Sequence, residues 1–217
     1  MLSHFPNPFS LRLPPLAVNK FDYLVLFVMA VIVIIGIYQF YFWCQRNKIR
    51  ESLNLECFVD RWFPYYPAWV WIYSGLYYPI IVLMVLTFKD MRHFCYTVFS
   101  FFILLLCQMF FFVFLPVETP EEWRNLAKGK QSVSNRFLRF VHSFDAPSNC
   151  FPSMHVSVAM LTAMHLTTNI PDAGWWFFLY PLMISISALY TKQHYFLDLI
   201  PGALLGWGIF RLFLLMY

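Results

Sequence analysis

The feature that most constrains this chain is the length of its uncharged runs. From Phe21 to Trp43 the sequence stays apolar, with Asp22 and Gln39 as the polar interruptions. A helix that crosses the hydrocarbon of a bilayer needs about 20 such residues. Further runs follow at about 67–88, 94–114, 153–168, 175–190 and 196–217, and with the first, at about 21–43, they make six candidate spans. The expected fold is therefore all-α: a six-helix transmembrane bundle, a single integral membrane domain over 1–217, with an extramembrane loop region above any site. Composition agrees, since charged residues are 12% of the chain against about 25% in soluble domains. The net charge of +4 is spread over a few loops, which excludes a nucleic-acid partner and leaves the bilayer. The first run lacks a small-residue cleavage site after it and reads as a permanent span. The five cysteines (Cys44, Cys57, Cys95, Cys107, Cys150) show no metal-like spacing. They read as small apolar residues, with a Cys57–Cys150 bridge left open.

The later spans are the polar ones, and ionisable groups in a membrane usually face protein or a water-filled cavity. Gly202 and Gly206 have the small-xxx-small spacing that lets helices approach closely. Two loops are long, 44–66 and 117–150, and Thr119-Pro120-Glu121-Glu122 in the second reads as a helix start. Six spans put both long loops and the 192–194 turn on one face. On that face two short elements carry chemistry. Pro152-Ser153-Met154-His155 opens the fourth span. A helix N-terminus offers free N–H groups and a partial positive charge to an anion. Ser153 would add a hydroxyl, and His155 would stand beside a bound phosphate. The second element is Lys192-Gln193-His194-Tyr195-Phe196-Leu197-Asp198. His194 and Asp198 are four apart and share a helix face. A carboxylate on one ring nitrogen fixes the tautomer and leaves the other nitrogen basic. Candidate phosphate-binding groups are Ser153, Met154 through its backbone, Lys192 and, from the third connection, Arg124, Arg136 and Arg139, with Lys128 and Lys130 nearby. Each has a plainer reading, as a helix cap or a headgroup-facing charge.

Pro-Ser-x-His followed by His-x-x-x-Asp resembles the phosphatidic acid phosphatase type 2/haloperoxidase superfamily. Asp145-Ala146-Pro147-Ser148-Asn149-Cys150-Phe151-Pro152-Ser153-Met154-His155-Val156 and Thr191-Lys192-Gln193-His194-Tyr195-Phe196-Leu197-Asp198 are similar to the second and third motifs of its lipid phosphotransferase-like branch. That branch includes sphingomyelin and inositol phosphorylceramide synthases. Asp60-Arg61-Trp62-Phe63-Pro64 looks like a segment that precedes its second span. The likeness covers roughly 55–210, with the active-site core at about 117–210. The superfamily's first motif has no counterpart. Ala188 stands where the third motif has an arginine, and Lys192 is the basic residue available instead.

The resemblance implies a membrane enzyme acting on a phosphorylated lipid, with a phosphohistidine intermediate and no metal or other cofactor. His194, oriented by Asp198, would attack phosphorus, and His155 would protonate the leaving alcohol. With water as acceptor the protein is a phosphatase; with a lipid or polyol hydroxyl it is a phosphotransferase. A non-catalytic lipid-binding or transport protein on the same fold is the reading from another class. The positive-inside rule puts the site face in the cytoplasm, whereas the resemblance implies an extracytoplasmic site, which is the expectation kept here.

Overall fold

The computed structural model describes residues 20–129 and 131–217. Among these the fold is helical, with no strand beyond one isolated bridge between Leu53 and Val117. The helices are α1 (Lys20–Arg46), α2 (Val70–Tyr73), α3 (Tyr77–Val85), α4 (Met91–Phe114), α5 (Glu121–Asn125), α6 (Val133–Phe144), α7 (Met154–Asn169), α8 (Leu179–Tyr190) and α9 (Phe196–Met216). Short 3₁₀ turns cover Phe58–Trp62, Pro67–Trp69 and Pro171–Phe178.

Among the described residues, five segments are long and apolar enough to cross a membrane: Leu24–Arg46, Pro67–Val85, Met91–Phe114, Pro171–Tyr190 and Phe196–Met216. The sequence suggested six, and the difference is α7. It is a 16-residue helix, about 24 Å at 1.5 Å per residue, and it lies against α3, α4, α8 and α9 instead of facing outward. Its Val156, Ser157, Ala159, Leu161, Thr162, Ala163, His165 and Leu166 are all buried. By contrast α1 turns Phe21, Leu24, Ile32 and Ile35 outward, as a lipid-facing helix does, and packs on α4 and α3. The second apolar run, expected as one helix over 67–88, is broken at 74–76. Pro79 has no N–H to continue a helix from Gly75. It is tolerated in the first turn of α3, so the helix restarts there.

The closest helix pair is α7 with α9, and two glycines make it. A Cβ on Gly202 would stand 2.7 Å from the Ser153 carbonyl oxygen, and one on Gly206 would stand 2.3 Å from that of Ser157. Both obstacles are backbone and cannot swing away. Gly206→Ala is therefore expected to cost about 1–3 kcal/mol, the range for overpacking, and to lower the thermal midpoint in detergent. Gly208, which meets nothing within 4 Å, provides the control. Equal midpoints for Gly206→Ala and Gly208→Ala would refute the close-packing account. All five cysteines are free, so the Cys57–Cys150 bridge does not form.

Candidate active site

Both chemical elements stand at helix starts that are tied together. Ser153 caps α7, its Oγ accepting from the Val156 N–H at 3.4 Å, while its own N–H donates to the Asp198 carbonyl at 3.0 Å. Asp198 lies in the first turn of α9 and its Oδ2 accepts from the Tyr195 N–H at 2.9 Å. These bonds and the Gly202 contact bring the two motifs side by side. The His155 and His194 rings are 6.0 Å apart between centroids. A phosphoryl group about 3 Å from each reacting nitrogen fits such a gap.

His194 points Nδ1 at the Cys150 carbonyl, 3.2 Å away, with Asp198 Oδ2 at 3.5 Å. A proton on Nδ1 would satisfy both acceptors and make Nε2 the nitrogen free to face a substrate. His155 Nδ1 meets the Tyr73 hydroxyl at 2.8 Å, and its ring packs on Tyr73 and Tyr77. Tyr73 was not singled out in the sequence. It comes from α2 and only the tertiary fold brings it to His155.

Among the phosphate-site candidates, Lys192 is engaged by two neighbours. Its Nζ donates to the Asp60 carbonyl at 2.8 Å and lies over the Trp123 ring, 4.7 Å from the centroid. Burial pulls its ammonium below the ordinary value, opposed by Asp60 and Glu56. Its backbone is left-handed, at φ +59°, a strained setting for a lysine. Arg124 donates to the His142 carbonyl at 3.3 Å, and Arg139 to the Ala127 carbonyl at 2.9 Å. Arg136 is exposed on α6 and Lys128 is exposed after α5. Lys130 lies outside the described residues. Asp60 is a buried brace that sequence reasoning saw only as part of a motif. Its Oδ1 accepts from the Phe196 N–H at 2.7 Å and its Oδ2 from the Cys57 N–H at 2.8 Å.

A cavity of about 430 Å³ opens beside His155, walled by Tyr38, Tyr41, Tyr77, Tyr78, Phe137 and Phe140. Met154 also lines it. Among the residues lining it, Asp145 carries the one carboxylate, and no lysine or arginine appears. Tyr41 donates to Asp145 Oδ1 at 2.5 Å. Burial raises this carboxyl above its ordinary value, opposed by the Tyr41 bond, Arg124 and His194. A smaller apolar cavity of about 100 Å³ continues between α1, α3, α4 and α7, sharing Tyr38, Tyr77, Tyr78 and Met154 with the first. In the last turn of α6, His142 is pushed down to about 4 by burial and by Arg124, so it is neutral near pH 7 and its Nε2 accepts from Gln193 at 2.5 Å.

Among the described residues, one group of donors could hold a metal ion: Cys150, His194 and Asp198. Sequence spacing gave no hint of it, because the cysteine is 44 positions from the histidine.

No curated protein and no solved structure matches the chain. A family model does match, over residues 48–212, which takes in α2 through most of α9 and both histidine motifs. The chain belongs to the PAP2 superfamily, and with it to a group whose membership suggests a phosphatase or phosphotransferase.

Proposed function

We propose that this protein is a membrane phosphatase of lipid phosphate or diphosphate esters working through a phosphohistidine. The observation that carries the reading is the facing pair of His155 and His194, 6.0 Å apart, on two helix starts joined by a backbone hydrogen bond. His194 Nε2 attacks phosphorus while Asp198 and the Cys150 carbonyl hold the proton on Nδ1 and offset the positive charge that develops on the ring. His155 acts as the imidazolium, its Nδ1–H donating to the Tyr73 hydroxyl oxygen; it delivers the Nε2 proton to the leaving alcohol and is left a neutral imidazole. Water then attacks the phosphohistidine with His155 as base. The N–H groups of the first turn of α7 and the Ser153 hydroxyl stabilise the equatorial oxygens. Arg124 and Arg139, with their carbonyl partners, and the exposed Arg136 serve the headgroup region of the substrate. The apolar cavities beside His155 suit the hydrocarbon of a lipid substrate.

One observation favours transfer to an alcohol as a second reading. Asp145 in the His155 cavity repels a bare phosphate but accepts a hydrogen bond from an acceptor hydroxyl, and the Lys-x-His-Tyr wording of the third motif points to the synthase-like branch. Phosphate-labelled lipid incubated with purified protein separates the two. Free phosphate supports hydrolysis, labelled new phospholipid supports transfer, and neither product from a broad lipid panel would leave the non-catalytic alternative.

Orthovanadate is expected to inhibit and EDTA is not. Vanadate becomes five-coordinate, and a site preorganised for an in-line phosphoryl transition state binds it more tightly than ground-state phosphate. A metal-dependent phosphatase draws its charge stabilisation from the ion. Loss of activity in EDTA that magnesium or zinc restores would overturn the mechanism.

A further inference from the structure

One cluster at the site has a member the phosphoryl-transfer reading leaves idle, the Cys150 side chain. Its Sγ, a ring nitrogen of His194 and a carboxylate oxygen of Asp198 lie within 4.8 Å of one another, and all three residues are buried. A second, independent feature points the same way. Asp198 Oδ2 is occupied by the Tyr195 N–H and faces His194, but Oδ1 is buried without a hydrogen-bond partner. A buried carboxylate oxygen left without a donor is costly. Nothing on α9 relieves it, and Asp198 is fully buried at 0% exposure. The thiol meanwhile points at weak contacts, the Pro147 carbonyl at 3.4 Å and the Gln193 carbonyl at 3.9 Å.

Thiolate, imidazole and carboxylate are the donor types zinc takes. With bonds of about 2.0–2.3 Å, neighbouring donors on a tetrahedral ion stand on the order of 3.5 Å apart. Closing from the present separation takes roughly 1 Å, within reach of side-chain rotation. A thiolate and a carboxylate together cancel the charge of a divalent cation, which lowers the cost of burying it. Soft thiolate ligation disfavours magnesium and calcium and selects zinc or a like thiophilic ion.

We propose that Cys150, His194 and Asp198 form an inhibitory site for zinc or a similar thiophilic divalent cation. On binding, the Cys150 thiol proton passes to solvent, the His194 ring binds as a neutral imidazole with its one proton on the nitrogen away from the ion, three donor–metal bonds form, and no oxidation state changes. The ion takes Asp198 and a ring nitrogen of His194 at once, so the nucleophile loses its orienting carboxylate and phosphoryl transfer stops. The inhibition, though not the binding, rests on the phosphatase reading above. This role differs from that of a catalytic cofactor, because the ion takes up groups that the reaction needs.

The test has two arms on the full-length protein in detergent. In the first, cadmium stands in for zinc and thiolate-to-cadmium absorption is followed in the near ultraviolet. The wild type is expected to show a band saturating at one ion per chain, kept in Cys57→Ser and lost in Cys150→Ser. Cys150→Ala repeats the measurement should the serine variant not fold. In the second arm, zinc is titrated into phosphate release from a lipid phosphate. Cys150→Ser is expected to raise the zinc concentration for half-inhibition at least tenfold, each variant being referred to its own uninhibited rate. No cadmium band in the wild type, or a band that survives Cys150→Ser and Cys150→Ala, overturns the site. Zinc inhibition of unchanged potency in Cys150→Ser overturns its inhibitory role. A Cys150-dependent band in a protein that releases no phosphate from any lipid leaves the metal site standing and removes the phosphatase reading instead.

Discussion

His194→Ala is expected to lower turnover on a lipid phosphate by on the order of 10⁴-fold or more, the scale seen when a covalent nucleophile is deleted. The imidazole is the group that would carry the phosphoryl between donor and acceptor. His155 faces it across the gap but is bonded to Tyr73 through Nδ1 and has no carboxylate partner to orient it for attack. The variant should remain folded. The two halves of the site are joined through backbone, by the Ser153 N–H on the Asp198 carbonyl at 3.0 Å, and by the glycine contacts of α9 on α7, none of which uses the imidazole. Phosphate release, size-exclusion behaviour and thermal midpoint in detergent would be read together. A well-folded variant with the rate of the wild type would remove His194 from the mechanism.

Asp198→Asn is expected to slow the reaction less, by about 10²- to 10³-fold. An amide oxygen can still accept from the Tyr195 N–H, so the cap of α9 survives. What disappears is the negative charge 3.5 Å from His194 Nδ1, and with it the stabilisation of the ring as it becomes cationic. Replacing the carboxylate of a Ser-His-Asp triad by an amide costs about 10⁴-fold, because the ring then takes the wrong tautomer. Here the Cys150 carbonyl, 3.2 Å from the same nitrogen, still requires a proton on Nδ1, which limits the loss. Kinetics on the purified variant decide the matter. An unchanged rate would make Asp198 a helix cap alone, and a loss as large as that of His194→Ala would mean the carbonyl contributes nothing.

Local features of the site were legible in the sequence. Pro152-Ser153 before His155 was legible as a helix cap, whereas the shared helix face expected of His194 and Asp198 does not form: α9 begins at Phe196, so His194 stands before the cap at Tyr195 and meets Asp198 across the first turn instead. The apolar runs likewise dictated membrane helices. Features fixed by contacts between distant segments stayed hidden. Tyr73 is one tyrosine among many until α2 meets α7. Asp60 braces the 192–196 turn from more than a hundred residues away, and its carbonyl accepts from the Lys192 ammonium, a contact that no local pattern announces. The count of spans differed for a related reason. Run length marks a helix, but whether α7 faces lipid or its neighbours depends on how the other helices enclose it.

The way α7 is fixed to α9 has a consequence for how substrate preference could diversify. The catalytic groups sit on a seam of backbone contacts, where Gly202 and Gly206 admit no side chain. Tyr77 and Tyr78 belong to α3, which packs on α7, but the rest of the cavity's aromatic wall comes from elsewhere, Tyr38 and Tyr41 from α1 and Phe137 and Phe140 from α6. Those helices pack against the catalytic pair lightly or not at all, since α1 lies on α3 and α4, and α6 on α2 and the Pro67–Trp69 turn. Mutations that reshape the wall can therefore accumulate without disturbing the seam. A library built on α1 and α6 would search lipid selectivity while the chemical step stays as it is, and one built on α7 and α9 would mostly return proteins that do not assemble.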